Sequence, residues 1–133
     1  MSFRPANQAQ RRYNRRILAA SAVYAILLFG EQYALRSGEV GHSAAYALAA
    51  LPALPIIGIF VIIGRYLVEE QDEYLRMRTV RQILWATGLT MAATTLWGFM
   101  EDAGLPHLPM FYVAVCWFAA LGIGGCIVKL LDR

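Results

Sequence analysis

The stretch from Ile83 to Gly104 restricts the fold of this chain more than any other, because it is an apolar run of membrane-spanning length. An α-helix needs about 20 predominantly apolar residues to cross the hydrocarbon core of a bilayer. The run closes on two neighbouring carboxylates, Glu101 and Asp102. We therefore predict a transmembrane helix that ends in an acidic pair.

One side of this predicted helix is small or polar. Its residues recur at steps of three and four, which places them on one helix face. A face of this kind packs against other helices and not against lipid. The face consists of Thr87, Thr90, Thr94, Gly98 and Glu101. The pattern predicts a helix bundle within the membrane.

Three more apolar runs predict three more spans, so that the four lie at about residues 17–35, 43–64, 83–101 and 110–130. Only 16% of the 133 residues are charged, which is low for a soluble domain. The remaining length leaves no room for a separate soluble domain. The expected fold is all-α, an integral membrane four-helix bundle forming a single transmembrane domain over residues 1–133. Pro52 and Pro55 predict a kink in the second span.

The segment 65–82 is the most charged part of the chain, with acids and arginines at helical spacing. We predict a helix that leaves the membrane, a turn, and a helix that re-enters, with Asp72 and Arg76 as an i,i+4 ion pair. The acidic residues could bind a metal, but no histidine lies nearby and the arginines compete for them. A self-paired, solvated helical hairpin is favoured. The residues of this charged helical segment are Glu69, Asp72, Glu73 and Arg76.

The distribution of basic residues predicts the orientation. Of the twelve Lys and Arg residues, five precede the first span, four lie between the second and third, and two lie at the end of the chain. Only Arg36 falls on the opposite side. Since cytoplasmic loops carry the excess of Lys and Arg, both termini are expected in the cytoplasm. The basic arm, residues 1–16, is expected to contact anionic lipid, and we expect no binding to nucleic acid.

Two glutamates fall inside or at the edge of predicted spans. In the predicted orientation, Glu31 and Glu101 lie at similar depth near the outer face. A central carboxylate costs about 2.5 kcal/mol or more to insert, and less near an end. The candidate polar site comprises Glu31, Glu101, Tyr24 and Thr94. Two alternatives stay open for Glu31: a proton or cation site, or an interfacial glutamate compensated by Arg36.

A weaker hypothesis is a Zn or Cu site at the outer face. Its candidate ligands are His42, His107 and Asp102, with Glu101 nearby. Interfacial histidines without metal are the favoured interpretation, and no cofactor is expected. Cys116 and Cys126 are about 15 Å apart along one predicted helix, too far for a disulfide. They are expected to be small buried apolar residues.

Glycines in the last two spans predict close contacts between helices. Gly98, Gly122 and Gly125 leave room for a neighbouring backbone. This favours packing within the bundle or in a homo-oligomer.

The pattern Asp72-Glu73-x-x-Arg76, followed by Gly98-Phe99-x-Glu101-x-x-Gly104-x-Pro106, resembles small uncharacterised bacterial inner-membrane proteins with four predicted helices. The resemblance covers about the third quarter of the chain. It implies a bacterial inner-membrane protein and assigns no activity to any residue.

No enzyme motif is present: the chain lacks a Cys-x-x-Cys pair, a Gly-rich phosphate loop and a nucleophile elbow. Three hypotheses follow. The first, which is favoured, is a structural, accessory or assembly protein in a homo-oligomer or larger membrane complex. The second is a small proton- or cation-coupled transporter or channel that uses Glu31, with Glu101. The third is an outer-face metal-binding accessory module.

Overall fold

The computed structural model describes residues 7–38 and 41–133, and the regular secondary structure of these residues is entirely helical. Four helical segments are long and apolar enough to cross a membrane, namely Gln8–Arg36, His42–Glu69, Glu73–Asp102 and Tyr112–Leu131. The predicted all-α chain with four such segments is thereby confirmed. The helices are α1 (Gln8–Arg36), α2 (His42–Ala50), α3 (Ala53–Glu69), α4 (Glu73–Asp102) and α5 (Tyr112–Leu131). Membrane insertion, orientation and the four-helix bundle stay predictions.

The predicted kink is a break between α2 and α3, at Leu51 and Pro52. Proline cannot donate to the carbonyl four residues earlier, so Pro52 frees the Leu48 oxygen and Pro55 frees the Leu51 oxygen. Both oxygens accept from the residue three positions later: Leu51 donates to Leu48 at 3.2 Å, and Leu54 donates to Leu51 at 3.2 Å. Each of the two carbonyls at the break therefore keeps a backbone donor, which an apolar surrounding requires.

The chain divides into two compact units, the first ending at Gln71 and the second beginning at Asp72. In the first unit α1 packs against α3, and we call it the first hairpin. In the second unit α4 packs against α5, and we call it the second hairpin. The predicted single transmembrane domain stays a prediction.

Of the two packed helices of the first hairpin, α3 has buried residues and α1 has none. The buried positions of α3 recur at steps of four, four and three, so they form one helix face. They are Pro55, Ile59, Ile63 and Tyr66. At the Glu69 end, the ring of Tyr66 contacts that of Tyr13 on α1, with the ring centroids 4.5 Å apart.

The second hairpin is built on small residues. Ala86 and Thr90 are buried on α4. On α5 the buried residues are Trp117, Ala120, Gly124 and Val128. A Cβ atom at Gly124 would lie 2.7 Å from the Gln82 carbonyl oxygen, a separation that real Cβ atoms essentially never show. The two backbones therefore approach too closely here for any residue but glycine.

Both ends of α4 are capped. At its start the Asp72 carboxylate accepts the backbone N–H groups of Tyr74 and Leu75, at 3.0 and 3.3 Å. At its end Gly104 adopts a positive φ of 113°. Gly104 donates to the Glu101 carbonyl, and Leu105 donates to the Met100 carbonyl, both at 3.0 Å. This pair of bonds is a Schellman motif, whose left-handed position favours glycine.

Large apolar side chains are exposed along all four long segments. In the most apolar 18-residue stretch of each segment, at most 22% is buried. Leu18, Phe29, Ile57 and Leu96 are each at least 60% exposed. The two cysteines are free and exposed, so the prediction that they are buried was wrong. Each lies on a face of α5 that the second hairpin does not cover.

Candidate functional site

A concave site lies at the Glu101 end of the second hairpin. A cavity of about 500 Å³ opens between the last turns of α4, the loop that follows, and the first turns of α5. We call it the Glu101 cavity. The residues that matter most to its chemistry are Trp97, Gly98, Glu101, His107, Tyr112 and Val113. Thr94 also lines it, so the structure brings together two of the four predicted polar-site residues.

Glu101 is held by two bonds from the loop. One carboxylate oxygen accepts the backbone N–H of Leu108 at 2.8 Å. The other lies 2.9 Å from Nδ1 of His107. The Glu101 side chain is 21% exposed and the His107 side chain is 80% exposed. The carboxylate therefore has a fixed position, while the imidazole ring reaches into open space.

The predicted threonine face of α4 faces α5. The Trp117 indole N–H of α5 donates to the Thr87 hydroxyl at 3.1 Å. Thr90 is buried and donates to the Ala86 carbonyl at 2.8 Å, and Thr94 donates to the Thr90 carbonyl at 2.8 Å. Threonine hydroxyls satisfied by the preceding turn are compatible with an apolar environment. Gly98 and Glu101 complete this face where it reaches the cavity.

The other half of the predicted polar site lies in the first hairpin. Glu31 and Tyr24 are both partly exposed residues of α1, two turns apart. Within residues 7–38 and 41–133, Glu31 forms no hydrogen bond or ion pair. Arg36, its proposed compensating partner, lies five residues further along α1 and forms no ion pair with it in that part of the chain.

The predicted metal ligands have different surroundings. His42 is the exposed first residue of α2, and His107 is paired with Glu101 as described. Asp102 is the exposed last residue of α4. Among the described residues, no three or more His, Cys, Asp or Glu side chains lie close enough together to hold a metal ion.

A second polar cluster closes the Glu69 end of the first hairpin. Arg16 of α1 reaches the Glu69 carboxylate at 3.3 Å, and Arg65 reaches it at 3.4 Å from the preceding turn. The amide of Asn7 donates to the fully buried Glu70 at 2.7 Å. Glu69 lies beyond the apolar segment 43–64, and the hydrogen bond from Arg16 holds its pKa below the ordinary value. This cluster ties the basic arm to the end of α3.

The basic arm is helical where the structure describes it. α1 begins at Gln8, nine residues before the predicted span, so Arg11, Arg12, Arg15 and Arg16 are all helix residues. Arg12 and Glu69 line a polar cavity of about 400 Å³. Arg4 lies outside the described residues.

The charged segment has the predicted order of helix, turn and helix, but one of its ion pairs differs from the prediction. The chain leaves the helix at Glu70 and re-enters it at Glu73, so the four charged residues do not share one helix. Arg76 pairs with Glu73, three residues earlier, and the predicted pairing with Asp72 is wrong in that respect. The physical reason is that Asp72 is the N-cap of α4, where its side chain accepts backbone N–H groups.

The three predicted packing glycines are not equivalent. Gly98 and Gly122 have no other described atom within 4 Å of an added Cβ. At Gly125 a Cβ would lie 2.9 Å from the Gln82 side-chain nitrogen, which donates to the Leu121 carbonyl at 2.9 Å. The close backbone contact is instead at Gly124, which the pattern of glycines alone did not distinguish from its neighbours.

Several polar partners were not predicted from the sequence. Asp132 accepts from Arg81 at 2.9 Å and from the Tyr74 hydroxyl at 3.1 Å, across α4 and α5. The sequence signal for this contact is weak, because Arg81 and Asp132 are 51 residues apart. The Glu101–His107 pair had a stronger signal, because only five residues separate the two in a loop rich in Gly and Pro.

No protein-family model, curated protein or solved structure matches this chain. The resemblance to small four-helix inner-membrane proteins stays a resemblance.

Proposed function

We propose that the chain is a multi-pass protein of the bacterial inner membrane, with both termini cytoplasmic, that acts as a structural or assembly subunit in a homo-oligomer or larger membrane complex. The observation that carries the proposal is the apolar surface left exposed along all four long helical segments. Large exposed apolar surfaces mark contacts with membrane or with protein. A four-helix bundle is the arrangement proposed for the spans, and anionic lipid is the proposed partner of the basic arm.

A small-residue stripe on α5 supports contact with another helix. Ala119, Gly122 and Cys126 are all exposed and recur at steps of three and four. At 3.6 residues per turn they lie within about 60° of one another, and on the side of the helix opposite the buried Trp117. Small residues at such spacing let membrane helices approach closely. Gly122 has open space around it in the described structure, as a free packing face requires.

The local use of ionisable groups supports a structural role. Glu69, Glu101 and Asp132 are each bonded to partners within their own hairpin. These contacts fasten helix ends and loops. A transport path usually requires several ionisable groups along the spans.

Cysteine cross-linking tests the proposal directly, because Cys126 belongs to the stripe. Cys116 lies about 80° around the helix from Cys126. With Cys116→Ser, mild oxidation in membranes should give a disulfide-linked dimer through Cys126. The matched control is Cys126→Ser, in which Cys116 remains and the dimer should be much weaker. Adding Gly122→Leu to the Cys116→Ser variant should reduce the cross-link.

A monomer in mild detergent with no cross-link and no co-purified membrane protein would overturn the proposal. If a membrane protein co-purifies and no homodimer is found, the proposed assembly is a larger membrane complex. The orientation is tested separately by labelling a cysteine introduced near either terminus with a reagent that does not cross the membrane.

Glu31 favours a second candidate, a proton- or cation-coupled transporter. This carboxylate sits in the apolar segment 17–35 and is unbonded among the described residues. Glu31→Gln should abolish proton-driven flux in proteoliposomes while the helix content stays constant. Glu73→Gln, a change to an exposed residue of the charged segment, is the control. Unchanged flux in the Glu31 variant would exclude this function.

A further inference from the structure

The Glu101 cavity has the size of a small-molecule site. Its volume of about 500 Å³ lies within the range typical of ligand pockets, about 300–1,000 Å³. It is formed within one hairpin, by α4, α5 and the loop between them. The Schellman turn at Gly104 and the Leu108–Glu101 bond fix the course of that loop.

The walls of the cavity are mainly apolar and aromatic. Val113 and Met110 provide aliphatic surface, and Trp97 and Tyr112 provide aromatic rings. Among the described residues that line the cavity, Glu101 is the only acid and none is Lys or Arg. The other ionisable side chains of this lining are those of His107, Tyr112 and Cys116. The sequence has no Lys or Arg at all between Arg81 and Lys129.

Glu101 retains the capacity to bind a cation. A carboxylate has about four lone-pair positions. The bonds to Leu108 and His107 occupy two of them, and Trp97 of the cavity wall also contacts this carboxylate, which leaves about one position for a ligand. Both bonds hold the group in place, so little ordering is needed when a ligand arrives. Aromatic rings next to a carboxylate add cation–π attraction for an ammonium group.

We propose that the Glu101 cavity binds an amphiphilic amine, with the ammonium group at Glu101 and the apolar chain along Val113 and Met110. Two sources carry this chemistry: a free alkylamine and the ethanolamine headgroup of a phospholipid. The site does not depend on the proposed assembly function, since it is contained in a single hairpin.

The probe is octylammonium, titrated into the full-length protein in phosphatidylcholine nanodiscs. We expect a saturable change in tryptophan emission that is absent from Trp97→Phe. 1-Octanol has the same chain without the charge, and should give no saturable signal. Glu101→Gln should raise the half-saturation concentration about tenfold or more, since charge-assisted bonds contribute about 1.5–3 kcal/mol.

A pair of glycine variants separates binding from folding. Gly98 lines the cavity and Gly88 does not, while neither has another described atom near an added Cβ. Gly98→Leu should abolish the octylammonium signal and Gly88→Leu should leave it intact. The proposal is wrong if octanol and octylammonium behave alike, or if Gly98→Leu leaves the titration curve unchanged. If Glu101→Gln loses helix content, the comparison of Gly98→Leu with Gly88→Leu tests the proposal in its place.

Lipid composition distinguishes the two sources. Replacing part of the phosphatidylcholine with phosphatidylethanolamine should shift the octylammonium curve to higher concentration if the headgroup is the occupant. An unshifted curve, with the charge dependence retained, assigns the cavity to a free amine.

Discussion

The two hairpins are built from similar apolar helices but are held together in different ways. In the second, small residues let the backbones touch along the middle of the helices, as at Gly124 and Ala86. In the first, α1 buries no residue, and its specific contacts with α3 are concentrated at the Glu69 end. Small residues on a facing helix allow close packing, whereas bulky ones such as Ile59 and Ile63 keep helices apart.

This difference has an energetic consequence in a membrane. Lipid is as apolar as leucine, so bulky apolar contacts give little net driving force between helices, and close packing and hydrogen bonds matter more. The second hairpin should therefore be stable by itself. The first should depend more on its polar end and on contacts with other helices.

The largest expected effect comes from Gly124→Ala, which places a Cβ against the Gln82 carbonyl. Overpacking of this kind typically costs about 1–3 kcal/mol, because backbone must shift. Thermal unfolding of the purified protein, followed by circular dichroism, measures the loss. Gly122→Ala is the control, since its Cβ meets open space, and it should not destabilise. Equal unfolding temperatures for the two variants would show that the close contact is unimportant.

The next effect concerns the loop of the second hairpin. Gly104→Ala forces an L side chain into a φ of 113°, at a cost of about 1–3 kcal/mol. Gly30→Ala, in a helical and open position of α1, is the matched control. We expect a lower unfolding temperature only for the Gly104 variant. Because this loop fastens Glu101, hydrogen exchange at the Leu108 amide should also rise, and an unchanged exchange rate would contradict the assigned loop contact.

A smaller effect distinguishes the ion pairs that join the helices of the two hairpins. Asp132 accepts from Arg81 and Tyr74 with a side chain only 16% exposed, so Asp132→Asn should cost about 1–2 kcal/mol. The Glu69 side chain is more exposed than that of Asp132, at 28%, and solvent screening should make Glu69→Gln the weaker change. Chemical denaturation of both variants measures the order. The reverse order would mean that the first hairpin relies on its ion pairs more than its exposure indicates.

The smallest effect is a pH dependence of the Glu69 cluster in the first hairpin. The bond from Arg16 lowers the pKa of Glu69 from its ordinary value of 4.5. The stabilisation is therefore complete above about pH 4.5 and is lost as the pH falls through the lower folded-state pKa. Comparing the wild type with Glu69→Gln over this acid range isolates the contribution. A difference between the two proteins that does not shrink on acidification would contradict it.

Local patterns predicted the helices well and the contacts only in part. The four apolar runs, the break at Pro52 and the inward threonine face of α4 follow from length, backbone chemistry and periodicity, and all are observed. The pairing of Arg76 was mispredicted because spacing cannot show that Asp72 is used as a cap. The cysteines were predicted to be buried and are exposed. An apolar residue in a membrane-spanning helix can face either protein or lipid, and hydropathy does not distinguish the two.

The sequence alone determined that this chain forms four long apolar helices with a charged connection, since helix length and hydropathy are local properties. It also brought Glu101 and His107 close, because a short loop joins the segments that carry them. Only the tertiary structure selected Gly124 among three neighbouring glycines, joined Arg81 to Asp132, and opened a cavity beside Glu101. Those outcomes depend on the rotation and separation of two packed helices, which no periodicity within a single helix can fix.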